Sequence, residues 1–232
     1  GIADDVRSRI TNAEVLTWAY MAMVDFRGNY KRAYRYGCSM RLFAPIEYSR
    51  LMRRINSLSF VMERLFVVFG KWFTTLHNLA VYAIDSAPVE ICQITREKRC
   101  RLWQDVKLKG YNASKKRFFY GFKLHIVATT NKEPVLCSIT EGSNHDLEAA
   151  FTLLPHLPRG SVTLGDKGYV SKELETQLKS QNIIHSPLYR SNARIKDKEL
   201  FIKKRLRKSI ETLFSTLTKR FGKVIKATSI HG

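Results

Sequence analysis

The chain has 232 residues, 44% of them hydrophobic, which excludes general disorder and allows one substantial core with a smaller appended region. Its 40 lysines and arginines stand against only 20 aspartates and glutamates, a formal net charge of +20. That imbalance favours a polyanionic partner, nucleic acid first, although a ribosomal location or an anionic membrane surface fits the charge equally well; it names no reaction.

Four cysteines, Cys38, Cys92, Cys100 and Cys137, form neither a CxxC pair nor a zinc spacing, and are expected to be scattered core thiols of a reducing compartment. The opening GIADDV lacks the basic leader and apolar core of a signal peptide. The most apolar stretch, Phe60 to Phe73, is interrupted by Glu63, Arg64 and Lys71, so no membrane span is expected and a cytoplasmic protein is.

In chain order, residues 12–26 read as a helix, with Asn12 as cap and Val15, Leu16, Ala19 and Met23 on one side. An aromatic and basic linker follows around residues 30–37. One or two further helices are expected between Ile46 and Phe73, where Met52, Ile55, Leu58, Met62, Leu65 and Phe69 supply an apolar stripe. Residues 1–77 thus read as a small helical region, either for DNA binding or dimerisation or as a packing domain with solvated arginines. No helix-turn-helix signature decides between these.

The pattern changes near residue 79. LAVYAI (79–84) is compatible with a buried strand, and FFYGFKLHIVA (118–128) with PVLCSIT (134–140) makes a hairpin. A helix is expected over 145–154, a strand over 161–165, a helix over 171–180, a short strand over 183–186 and a last helix over 205–221, with Ile210, Leu213, Phe214 and Leu217 on its apolar side. These elements predict an α/β domain from residue 78 to 232, a mixed sheet flanked by helices.

Two blocks are strongly basic. Residues 96–117 include Lys107, Lys109, Lys115, Lys116 and Arg117, with Trp103, Tyr111 and Phe118 interspersed, while Gly110 and Asn112 allow close, flexible approach to phosphates. A solvated loop is the alternative. Residues 190–208 include Arg190, Arg194, Lys204 and Arg207, and lead into the last helix.

Against this background three acids stand apart. Asp85 ends the run LAVYAID (79–85), Asp166 ends SVTLGD (161–166), and Glu211 lies in RKSIETLFS (207–215). Two carboxylates at strand ends and one on a helix offer hard oxygen ligands to one or two Mg²⁺ ions. Such ions would activate the attacking oxygen and stabilise the departing one.

The motifs AIDSAPV (83–89), FYGFKLH (119–125), GSNHD (142–146), LGDKGY (164–169) and RKSIETLFS (207–215), in this order, resemble the bacterial insertion-sequence transposases of the DDE type. The resemblance covers most of residues 80–220. It implies a ribonuclease-H-like core, with Asp85, Asp166 and Glu211 as catalytic and metal-holding acids. It also implies cut-and-join chemistry at transposon ends with Mg²⁺ or Mn²⁺, double-stranded terminal-repeat and target DNA as partners, a synaptic homodimer, and action at the bacterial nucleoid. It suggests Lys219 as a contact to terminal DNA and places Lys123 and Lys167 inside matching motifs, where DNA contact is the expectation. His145, Asp146 and Tyr169 are expected in supporting roles. The resemblance also leads one to expect packing sequence beyond residue 232, so the catalytic domain reads as shortened at its C-terminus. The alternatives are a metal-dependent nuclease without strand transfer, a nucleic-acid-binding or ribosome-associated protein, and a degenerate transposase that only binds DNA.

Overall fold

Thr11, rather than Asn12, opens the first helix, α1 (Asn12–Val24). Its hydroxyl accepts the Glu14 N–H at 3.2 Å, and Glu14 reaches back to the Thr11 N–H at 2.7 Å, a reciprocal cap that satisfies two free helix-end donors. Asn12 instead accepts from Arg54 Nη2 at 2.7 Å, while Arg54 Nη1 donates to Ser8 Oγ and to the Ile10 carbonyl. The computed structural model describes residues 8–76, 81–100, 103–113, 115–188 and 200–221. The chain divides into two compact units, residues 1–65 with 217–232, and residues 66–216.

In the first unit the expected linker is a helix, α2 (Tyr30–Ser39), capped by Asn29, whose side chain accepts the Arg32 N–H. Ala33 and Gly37, four residues apart, bury one face. A Cβ on Gly37 would fall 2.2 Å from the Trp18 ring, so glycine is needed for that approach. Trp18 gathers Ile10, Val15, Leu51 and Leu58 into a small core. Helix α3 (Tyr48–Ser57) ends just before α4 (Ser59–Leu76), and the break shifts the phase of the expected apolar stripe. Leu58 is buried, but Met62, Leu65 and Phe69 are exposed.

The second unit is a six-stranded mixed sheet with helices. Its strands are β1 (Val81–Cys92), β2 (Lys109–Asn112), β3 (Arg117–Thr129), β4 (Pro134–Glu141), β5 (Val162–Leu164) and β6 (Ile184–His185). The long β3 pairs antiparallel with β1, β2 and β4, while β5 pairs parallel with β1 and with β6. Helices α5 (Asp146–Leu153) and α6 (Lys172–Ser180) follow β4 and β5, and α7 (Leu200–Phe221) begins earlier than expected. This is the α/β architecture, a mixed sheet flanked by helices and preceded in sequence by a helical region, that the sequence leads one to expect.

Side-chain alternation sets the core. Tyr82 and Ile84 of β1 join Val127 of β3, Leu153 and Leu154, and Leu174 and Leu178 of α6 in one buried cluster. Residue 70 of α4 must be glycine to lie against β4, because a Cβ there would fall 2.2 Å from the Val135 carbonyl oxygen. Gly110 likewise is a packing residue rather than a flexible one: it sits in β2, and its Cβ would fall 2.2 Å from the Gly142 carbonyl oxygen. All four cysteines are free, but Cys38 and Cys137 are exposed, so these two are not core thiols. Among the described residues no helix is long and apolar enough to cross a membrane.

Candidate active site

Strand register brings the first two acids level. In the parallel pair β1–β5, Ala83 lies opposite Leu164. Two residues further on each chain come Asp85 (85 − 83 = 2) and Asp166 (166 − 164 = 2). Asp85 is not at a strand end: β1 continues past it to Cys92, and Asp85 faces Ile126 of β3 in the ladder. Its Oδ1 accepts the Ser86 N–H at 2.9 Å. Asp166 lies just beyond β5, where its side chain accepts the Lys167 N–H and opens a single 3₁₀ turn, Lys167–Tyr169. Glu211 projects from α7, whose buried Ile210 and Leu213 fix the rotation of the helix.

The three acids meet around one cation, Arg207. Its Nη2 lies 3.7 Å from Asp85 Oδ2 and 3.6 Å from Glu211 Oε1, and its Nη1 lies 3.9 Å from Asp166 Oδ1. The cluster grades from inside to outside: the Asp85 side chain is 22% exposed, that of Asp166 49% and that of Glu211 59%. Burial pushes the Asp85 carboxyl up to about 6; the Ser86 amide and Arg207 pull the other way, and Asp166 and Asp146 add repulsion. A carboxylate so disfavoured in its charged form gains most from a further cation.

Carboxylate oxygens are the donors a magnesium or manganese ion takes, and these three already converge on one cationic centre, so the donor set fits a divalent ion. As they lie, no group of three His, Cys, Asp or Glu side chains among the described residues is close enough to hold a metal ion. The guanidinium of Arg207 stands among the acids instead.

Behind Asp85, on the other face of the sheet, lies a polar layer. Lys123 Nζ donates to the Asn144 carbonyl at 2.6 Å and to Asp146 Oδ1 at 3.1 Å, which makes it an internal side chain rather than the free DNA contact its motif suggests. His125 is fully buried, with Nε2 2.8 Å from Thr140 Oγ1, and burial lowers its pKa. Tyr169 is buried against Gly165, and burial drives its phenol pKa far up. His145 is the N-cap of α5, its Nδ1 accepting the Leu147 N–H at 3.3 Å.

The basic positions sort by what already neutralises them. Lys109 pairs with Glu97 at 3.1 Å and Arg117 pairs with Glu90, whereas Lys107, Lys115, Lys116, Lys167 and Lys204 are exposed. Lys219 is exposed in the last turn of α7. Arg190 and Arg194 lie outside the described residues. Arg207, expected from the basic run as a DNA contact and from its four-residue spacing on the same helical face as Glu211, has its guanidinium among all three acids, and its approach to the two aspartates is what the sequence does not show.

Residues 77–227 match the family model described as "Transposase DDE domain". The chain belongs to this family. Members of the family are nucleic-acid-processing enzymes of the transposase type and generally depend on a divalent metal. No curated protein matches the chain. Among solved structures it is similar to a chain of the piggyBac transposase synaptic complex with hairpin DNA, at 16% identity and a TM-score of 0.35, over 53% of this chain and 25% of that one. A second similarity is to a chain of the simian T-cell lymphotropic virus intasome in complex with PP2A regulatory subunit B56 gamma. There the identity is 14% and the TM-score 0.27, over 66% of this chain and 54% of the other. The chain therefore spans a quarter of one and about half of the other.

Proposed function

We propose that this chain carries the catalytic site of a DNA transposase that cuts phosphodiester bonds at transposon ends and joins the freed 3′-hydroxyl to target DNA. The observation that carries the reading is the meeting of Asp85, Asp166 and Glu211, from two strands and a helix, around Arg207 in a chain of the DDE family. Asp85, Asp166 and Glu211 are the residues that would hold Mg²⁺, or Mn²⁺. When bound, the ion would activate the attacking oxygen and neutralise charge on the scissile phosphate.

The chain's own contribution is positioning. The Ser86 and Lys167 amides orient the two aspartates, and the exposed Glu211 side chain closes the set from the solvent side. Lys115, Lys116, Lys167 and Lys204 offer exposed cations to the DNA backbone, and a homodimer would hold two ends together. No side chain need become covalently joined to DNA, because water and then the 3′-hydroxyl are the nucleophiles.

The test incubates purified protein with labelled transposon ends, target plasmid and Mg²⁺. Joined products support transposition, nicked products alone support a nuclease, and retained binding with neither product supports a DNA-binding protein. Asp85→Ala, Asp166→Ala and Glu211→Ala should each abolish both products while substantial DNA binding persists. Wild-type cleavage rates in Asp85→Ala and Asp166→Ala would overturn the assignment.

A further inference from the structure

Arg207 stands where the three acids require positive charge, yet it is held there loosely. All three of its ion pairs, at 3.6, 3.7 and 3.9 Å, are longer than a hydrogen bond, so charge attracts the guanidinium without any acid gripping it. Its Nε is buried and without a hydrogen-bond partner among the described residues. A guanidinium with unused donors is an unusual occupant of a site rich in acceptors, since its fork can engage a carboxylate or a phosphate through two parallel bonds.

We propose that Arg207 is the resident counter-ion of the three acids and makes metal loading depend on DNA. Resting on the transposase reading above, the argument concerns exchange of partners. While Arg207 lies among Asp85, Asp166 and Glu211, its positive charge repels a divalent ion and its bulk keeps the acids from closing on one. A DNA phosphate approaching from the exposed side of the cluster, near Glu211 and the exposed Lys204 and Lys208, offers the guanidinium a better-fitting partner. As Arg207 turns to the phosphate, the three carboxylates lose their counter-ion and their affinity for a divalent ion rises. Linkage then requires that the ion raise DNA affinity by the same factor. Free protein would thus keep its site unloaded and assemble it only on substrate.

The test titrates Mn²⁺ against the full chain by electron paramagnetic resonance, with and without a short duplex of arbitrary sequence. Asp85→Ala supplies the background from sites not involving the acids. DNA should tighten Asp85-dependent Mn²⁺ binding to the wild type by about tenfold, within the range common for coupled sites. Arg207→Gln should bind Mn²⁺ about tenfold more tightly than wild type without DNA, and gain little when DNA is added. Arg207→Lys keeps the charge and should stay weak without DNA. It also guards against misreading a folding defect, which thermal melts of both variants would expose.

Arg207→Gln binding Mn²⁺ no more tightly than the wild type, or no more tightly than Arg207→Lys, overturns the proposal while leaving the three-acid site intact. If Arg207→Gln fails to fold, equal Mn²⁺ affinity of the wild type with and without DNA overturns it in the same way. Absence of Asp85-dependent Mn²⁺ binding even with DNA overturns the three-acid metal site, and this proposal with it.

Discussion

Lys123 on β3 and Asp146 at the first turn of α5 form a pair at 3.1 Å in which the lysine side chain is only 15% exposed. The same ammonium donates to the Asn144 carbonyl, so it ties the loop after β4 to the sheet. Replacing it with methionine keeps the length of the side chain but strands the Asp146 charge. Lys123→Met should cost about 1–3 kcal/mol in urea unfolding, the penalty for leaving part-buried acceptors without their donor. Its salt dependence of DNA binding should match the wild type, since this cation is not offered to phosphate. A salt slope reduced by a full unit would show instead that Lys123 reaches DNA.

Exposed cations behave differently. Lys115 lies at the β2–β3 turn and Lys204 on the exposed side of α7, and no acid pairs with either among the described ion pairs. Phosphate neutralisation releases counterions, so Lys115→Ala and Lys204→Ala should each lower the salt slope of binding by roughly one unit on any duplex. Lys109→Ala and Arg117→Ala, whose charges already face Glu97 and Glu90, should change it less. Slopes unchanged in both exposed variants would move the DNA path elsewhere.

The strands around the site were legible because their residues are apolar and β-branched or aromatic, and the acids because they interrupt a basic chain. The pairing of Asp85 with Asp166 was not legible, because it depends on β1 lying parallel to β5 with Ala83 beside Leu164, a long-range register. Arg207 could be matched to Glu211 by helical spacing, but its approach to the two aspartates comes from other elements. Helix α2 was hidden by its composition: aromatic and basic residues carry little periodic signal, and the small face of Ala33 and Gly37 becomes meaningful only with Trp18 against it. Asp85 seemed to end a strand because the apolar run stops there, whereas the ladder to β3 continues through polar residues.

Gly165 separates β5 from Asp166, and a Cβ on it would fall 2.9 Å from the Cβ of Tyr169. Tyr169 is buried and cannot yield without moving the turn that Asp166 opens. Gly165→Ala should therefore cost about 1–3 kcal/mol through overpacking. It should lower cleavage more than DNA binding, because the displaced group is Asp166 rather than a phosphate contact. Gel-shift affinity and cleavage rate on one duplex separate the two effects, and an unchanged cleavage rate would show that the turn absorbs the methyl group.

His185 anchors that same turn from below. Its Nε2 lies 2.9 Å from the Tyr169 carbonyl oxygen, which can only accept, so Nε2 carries the proton; Nδ1, 2.7 Å away from Thr163 Oγ1, then accepts from the hydroxyl. The neutral ring satisfies both contacts, whereas in a protonated ring both nitrogens donate and the Thr163 hydroxyl must redirect its hydrogen to the Ile184 carbonyl, 3.5 Å away. Burial lowers the pKa from its ordinary 6.5, with the Tyr169 carbonyl opposing. A histidine depressed in the folded state binds its proton more readily when unfolded. Its contribution to stability is therefore complete above 6.5 and is lost progressively as pH falls from there through the folded value. His125, also depressed by burial, adds a loss of the same sign. Asp85, raised to about 6 by burial, works the other way in both proteins and adds stability as pH falls through that value. The histidine loss therefore shows as a difference: between neutral pH and pH 5 the urea stability of His185→Gln, which cannot titrate, should fall less, or rise more, than that of the wild type, despite a lower starting value. Parallel pH profiles for the two proteins would mean that His185 is protonated in the folded state as easily as in the unfolded one, and that the turn behind Asp166 does not depend on its neutral form.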